Sequence, residues 1–185
     1  LLFATAAQAE TWRMASKMPV DSPEGKVFQF FADKVKENSG GKLEVVVYPN
    51  EQLGKTDAVL EQLKLGTVHL YAEGSTYMKK WVPEINWTSA AFMFDDRDHW
   101  IRFMETDLVQ GWYNKASREA GISLLGDATS ILRGPYRVMV TNRNVKTFDD
   151  ISMLKLRMHP SKLAVNTWTH LGADVKTLAW TDVYQ

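Results

Sequence analysis

Thr11-Trp12-Arg13-Met14-Ala15-Ser16-Lys17, then Ser22-Pro23-Glu24, then Leu43-Glu44-Val45-Val46-Val47-Tyr48 carry the pattern that decides the fold. The first segment alternates well enough for a strand. Ser22 suits a helix N-cap, Pro23 its first position, and Glu24 complements the positive end of its dipole. Val27, Phe28, Phe31 and Val35 recur at helical spacing until Gly40-Gly41 closes the helix. Residues 43–48 are β-branched and apolar, which predicts a buried strand. Strand, helix and strand in so short a span make a βαβ unit, so the two strands are expected to run parallel.

The pattern continues outward. Thr56 is placed to cap a helix carrying Val59, Leu60 and Leu63, which Gly66 stops. Residues 67–72 read as the next strand, ending in Glu73-Gly74-Ser75. A broken aromatic stretch runs around Trp81-Val82-Pro83 and 87–94, and Asp95-Asp96-Arg97-Asp98 opens a helix. Trp100, Phe103, Met104 and Leu108 predict one apolar stripe, with Trp112 continuing it beyond Gly111. Residues 122–125 and 136–141 read as short strands, and Phe148-Asp149-Asp150 as a helical turn. Strand 154–158, helix 160–171 ended by Gly172, and strand 175–179 follow. Trp180-Thr181-Asp182 reads as a helix start with Thr181 as its cap. Alternating strands and helices predict an α/β fold with mostly parallel sheets. A composition change near 127–135 marks the expected domain crossing, with 10–133 as a first α/β domain and 134–185 as the start of a second.

Composition narrows the function. The 185 residues hold 22 Lys+Arg against 22 Asp+Glu, four His and no Cys. A balanced charge argues against a nucleic-acid partner, because counterion release needs surplus Lys and Arg, and it offers no polybasic route to an anionic membrane. Without Cys there are no disulfides, thiol nucleophiles or Cys-based zinc sites. No stretch approaches 18 consecutive apolar residues. Residues 1–9, with Ala7-Gln8-Ala9 before Glu10, fit the end of a secretory signal, an Ala-rich tail being the alternative. The other end stops at a helix start, so the chain reads as cut. If the molecule ends at Gln185, it is expected to be a poorly stable fragment that binds ligand weakly or not at all.

Catalytic and metal constellations are not found. The sequence has no G-x-S-x-G, no G-x-G-x-x-G and no complete P-loop. His69, His99, His159 and His170 show no metal-ligand spacing, and Asp149-Asp150 reads more readily as a helix cap than as an acid–base pair. No cofactor is expected. In open α/β sheets, ligands lie beyond the carboxyl ends of the strands. That rule places Lys17, Glu73, Arg157 and Trp180 at the candidate binding edge. Arg157 suits a bidentate grip on a carboxylate, although spacing alone slightly favours an ion pair with Asp149 or Asp150. Trp180 serves as a ligand wall or as ordinary packing, and Lys17 and Glu73 as contacts or as solvated charges.

Several local patterns are more specific. Ser39-Gly40-Gly41-Lys42-Leu43-Glu44-Val45 and Tyr48-Pro49-Asn50-Glu51-Gln52-Leu53-Gly54 resemble the first-domain signature of the periplasmic solute-binding subunits of TRAP transporters. Residues 137–157, with Thr141-Asn142-Arg143, Phe148-Asp149-Asp150-Ile151 and Leu154-Lys155-Leu156-Arg157, resemble their second-domain core. Leu171-Gly172-Ala173-Asp174-Val175 and Trp180-Thr181-Asp182-Val183-Tyr184 resemble the segment after it. The resemblance implies a two-domain periplasmic binding-protein-like fold with a ligand cleft between the domains. It also implies a small organic-acid ligand, delivery to small and large membrane subunits, a periplasmic location and no enzyme activity. A monomer is expected, with a dimer left open.

By the same resemblance Arg157 is the carboxylate-binding residue and Arg137 a supporting one, while Glu73, Lys17 and Trp180 fall where ligand-contacting side chains stand. The chain departs from the family pattern at Met153, where Gly is usual, at His159-Pro160, and at Asp182, where Glu is usual. Lys17, Lys55 and Thr76 differ from the sialic-acid-binding members, so a smaller acid is expected. An extracellular sensor domain and a small α/β enzyme with catalytic residues elsewhere are the alternatives.

Overall fold

The expected βαβ unit is present. Strands β1 (Glu10–Ala15) and β2 (Leu43–Tyr48) pair parallel from Glu10 opposite Leu43 to Ala15 opposite Tyr48, and α1 (Pro23–Asn38) joins them. The structure is a computed structural model that describes residues 9–130 and 138–183. Ser22 caps α1 by accepting the Gly25 N–H, with Pro23 in the first position. Gly40 and Gly41 leave the helix at φ of 61° and 77°, a region open to glycine at little cost. Gly25 lets α1 approach the preceding turn. A Cβ there would lie 2.2 Å from the Pro19 carbonyl oxygen.

Strand β3 (Leu70–Tyr71) pairs with the other edge of β1, giving the order β2-β1-β3. It is shorter than the strand expected over 67–72. The N–H groups of Thr67 and Val68 turn back to the Gln62 carbonyl in α2 (Thr56–Lys64), and the Arg13 N–H is taken by His69 Nδ1. Thr56 is not the cap of α2 either. Lys55 holds that position, and the Thr56 hydroxyl lies 3.0 Å from that of Tyr71. Alternation along β1 sends Met14 into a core with Ala32 of α1 and Val45, and Ala15 into a second core with Val59 of α2 and Val68. A fully buried side chain such as Val59 contributes about 1.5–3 kcal/mol.

The chain divides into two compact units, Leu1–Gly74 and Ser75–Gln185. The boundary expected at 133/134 lies outside the described residues. The second unit begins with 3-10 helices Ser75–Lys80 and Pro83–Ser89, followed by α3 (Arg97–Met104) and α4 (Asp107–Ala120). Met78, Val82, Ile85, Met104, Val109, Tyr113 and Ala116 form its core. The expected single stripe is split between two helices, because Thr106 caps α4 by accepting the Val109 N–H. That break turns Leu108 outward, 60% exposed, and gives the buried place to Val109.

Residues 122–125 form no strand, and neither do 138–141, the described part of the strand expected over 136–141. A strand needs a ladder, and among the described residues none is offered there. Strands β4 (Lys155–Met158) and β5 (Asp174–Thr177) pair parallel, joined by α5 (Lys162–His170). The last helical turn is Trp180–Asp182, and its flanking residue is Ala179 rather than the expected Thr181. No described helix is long and apolar enough to cross a membrane.

Candidate functional site

Two of the expected residues meet at the carboxyl ends of β1 and β3. Ala15 and Tyr71 are register partners, so Lys17 and Glu73, each two residues further on, leave the sheet side by side. Lys17 Nζ lies 2.6 Å from Glu73 Oε2, with side chains only 11% and 7% exposed. Glu73 Oε1 accepts the Gly74 N–H at 2.9 Å. The turn that carries Lys17 is held to the loop after β2. Ser16 Oγ accepts the Met18 N–H, the Ser16 carbonyl accepts the Glu51 N–H, and the Met18 carbonyl accepts the Asn50 N–H. These two residues are therefore a buried ion pair rather than solvated charges, and withdrawing either partner would leave the other uncompensated in a dry place.

The β4–β5 pair organises the other expected residues in the same way. Arg157 stands opposite Lys176, two residues before Leu178. Its Nε and Nη2 both donate to the Leu178 carbonyl, at 3.0 and 2.7 Å. One edge of the planar guanidinium is thereby anchored, and the end that carries Nη1 is left facing away from that anchor. Neither Asp149 nor Asp150 pairs with it. Asp150 Oδ2 instead accepts from the Lys146 N–H, the Thr147 N–H and the Thr147 hydroxyl, at 2.8–2.9 Å. Those three donors, the Lys146 N–H foremost, hold the Asp150 carboxyl below the usual carboxylate range. Trp180, half-buried, begins the turn two residues beyond Leu178. Arg137 lies outside the described residues.

The loop before β4 shows why one departure from the family pattern matters. Met153, where family members usually have Gly, sits at φ 61° with its N–H bonded to the Gly172 carbonyl and its side chain 76% exposed. A left-handed conformation there is costly for any residue but Gly.

Lys79 carries no motif that marks it in the sequence. It sits half-buried on the 3-10 helix that follows the Glu73-Gly74 loop, and burial lowers its pKa. The Tyr113 hydroxyl, 3.0 Å from Ser75 Oγ, has its pKa raised by burial and stays a neutral phenol. A cavity of about 220 Å³ lies between α4 and residues 123–128, and none of the four described candidate residues, Lys17, Glu73, Arg157 and Trp180, lines it. Among the described residues no three His, Asp or Glu side chains gather to hold a metal ion.

Comparison with known proteins identifies the setting of these residues. Residues 14–185 match the family described as bacterial extracellular solute-binding protein, family 7 (DctP). A solute-binding protein of Chromohalobacter salexigens is 30% identical over 98% of this chain and 53% of its own length. The sialic acid-binding periplasmic protein SiaP of Vibrio cholerae is 29% identical over 98% of this chain and 55% of its own. A crystal structure of a TRAP periplasmic solute-binding protein from Chromohalobacter salexigens with bound D-glucuronate superposes with a TM-score of 0.80 at 28% identity. That superposition covers 94% of this chain and 56% of the other. The chain thus spans about half the length of the curated relatives it matches. Its parallel α/β architecture is the one these proteins share, and the chain belongs to family 7 of the bacterial extracellular solute-binding proteins.

Proposed function

We propose that this chain carries ligand-gripping elements of a periplasmic receptor that binds a small organic acid and delivers it to the small and large membrane subunits of a TRAP transporter. The observation that carries the reading is the anchored guanidinium of Arg157. Its Nε–Nη2 edge is committed to the Leu178 carbonyl, and no carboxylate of the described residues takes its Nη1 end. A guanidinium held on one edge keeps its free end in place for a bidentate carboxylate, with little rotamer entropy left to lose. Trp180 supplies an apolar wall that excludes water, Glu73 and Lys17 meet polar groups of the ligand, and Arg137 adds positive charge. Sialic acid and D-glucuronate, named for two relatives, are both carboxylates.

In the same reading the receptor acts as a monomer without a cofactor. Residues 1–9 end an export signal, 10–133 form the first domain, and 134–185 begin the second. Support for the first of these boundaries is that the sheet ladder starts at Glu10, directly after Ala9. Calorimetric titration of the full-length receptor and of its Arg157→Ala variant with D-glucuronate, sialic acid and succinate tests the proposal. At least one acid should bind stoichiometrically, and Arg157→Ala should lose about 2–5 kcal/mol of that affinity. Equal binding by the variant would overturn the role of Arg157.

A further inference from the structure

We infer that Phe92 and Trp168 form an aromatic strap, loaded by backbone strain, that ties the loop before α3 to helix α5 and lets go without unfolding either side. Both residues belong to the second compact unit. Their ring centroids stand 6.5 Å apart with the planes tilted by 59°, within the range in which aromatic pairs attract. Nothing in the strap depends on what the receptor binds.

Phe92 holds φ at 61°, a region that a bulky side chain enters only under constraint. Among the described residues Asn50, Glu51 and Met153 share that conformation, and each is locked by its own N–H. These bond to the Met18, Ser16 and Gly172 carbonyls in turn. Phe92 has no such lock. Among the described residues neither its N–H nor its carbonyl finds a hydrogen-bond partner, and the residue is 82% exposed. What remains to hold the conformation is the ring of Trp168, half-buried on α5.

Both ends of the strap are anchored, and the tip is not. Two residues beyond Phe92, the Phe94 ring packs on His99 and Phe103 of α3, with centroids 5.6 and 5.3 Å away, so the base of the loop stays with that helix. Trp168 is fixed by α5, and its carbonyl accepts the Ala173 N–H. Opening wets little new apolar surface, because Phe92 is already mostly in water, and it releases the strained backbone. Closure is thus opposed by one left-handed residue and favoured by one ring pair, two effects of similar size. That balance is the condition for a contact that opens and closes inside the folded state. The element it ties down, β4–α5–β5, is the one that carries Arg157.

Limited proteolysis of the full-length receptor, with the cut sites mapped by mass spectrometry, tests the strap, because cleavage within the loop tracks the population in which it is open. Trp168→Ala should speed chymotrypsin cleavage after Phe92 by about fivefold or more, whereas Trp168→Phe, which keeps a ring, should stay within about twofold of wild type. Thermolysin cleavage before Met93 should rise as much in Phe92→Ala, and the double variant Phe92→Ala/Trp168→Ala should go no further than either single one. In Trp168→Ala the backbone chemical shifts of Phe92 should leave the left-handed region. Unchanged cleavage in Trp168→Ala overturns the inference, and so does a double variant whose effect is the product of the single ones. A Phe92 that stays left-handed without the Trp168 ring overturns it as well. Should Trp168→Ala unfold α5, Phe92→Ala alone decides, and unchanged thermolysin cleavage there overturns the strap.

Discussion

Arg157 gives two of its N–H donors to one oxygen, the carbonyl of Leu178, at 3.0 and 2.7 Å. Two donors on one acceptor use an edge of the guanidinium and fix the plane of the whole group. A lysine has a single nitrogen and cannot hold the carbonyl and a carboxylate in one fixed geometry. Arg157→Lys should therefore lose more than tenfold in affinity for a bound acid while the melting temperature hardly changes, as titration and thermal unfolding will show. Affinity within threefold of wild type would remove the fork from the mechanism.

Met153 holds a left-handed backbone with its side chain in solvent. Gly relieves the steric cost and gives up little burial, although it adds freedom to the unfolded chain. Met153→Gly should stabilise the protein by a net of about 0.5–1 kcal/mol in urea unfolding. Destabilisation would mean that the Met side chain contributes packing beyond its exposed position.

Two helical glycines should respond to alanine with opposite signs. Gly111, in α4, has open space where a Cβ would point, so Gly111→Ala should stabilise by about 0.5–1 kcal/mol through helix propensity. A Cβ added at Gly25 would lie 2.2 and 2.6 Å from the Pro19 and Val20 carbonyl oxygens, and neither is the end of a flexible side chain. Gly25→Ala should destabilise by about 1–3 kcal/mol despite the same propensity gain. Chemical denaturation of both variants side by side checks the pair.

Asp150 predicts the direction of a pH effect. Its folded-state pKa is depressed, so its contribution is complete above the usual carboxylate range and is lost as pH falls through the lowered value. Thermal unfolding from neutral to acidic pH should show a smaller acid-side decline for Asp150→Ala than for the wild type. Identical declines would assign the acid sensitivity to other carboxylates.

What could be read from the sequence was what is decided locally. The Ser22 cap, the glycines after α1, the β1–α1–β2 unit and the β4–α5–β5 unit each follow from neighbours within a few residues. The length of β3 did not, because Thr67 and Val68 had two possible acceptors and took Gln62 in the preceding helix. The split between α3 and α4 was hidden for a similar reason. Leu108 continues the apolar spacing, but the Thr106 cap restarts the helix and hands the core to Val109. For the candidate site, the strand-end rule proposed Lys17, Glu73, Arg157 and Trp180 as separate positions. Their partners depend on register, which joins Lys17 to Glu73 and Arg157 to Leu178, and one sequence does not print register.

The placing of β1 between β2 and β3 has a consequence for assembly. The first strand among the described residues has both its edges filled by strands that come later. It can satisfy neither edge until β2 and then β3 have been made and have crossed back to it. The sheet of this unit therefore forms from encounters between segments distant in the chain, and one edge of β1 stays open for as long as β3 is missing. The placing also means that removing residues 10–15 would dissolve this sheet rather than trim its edge.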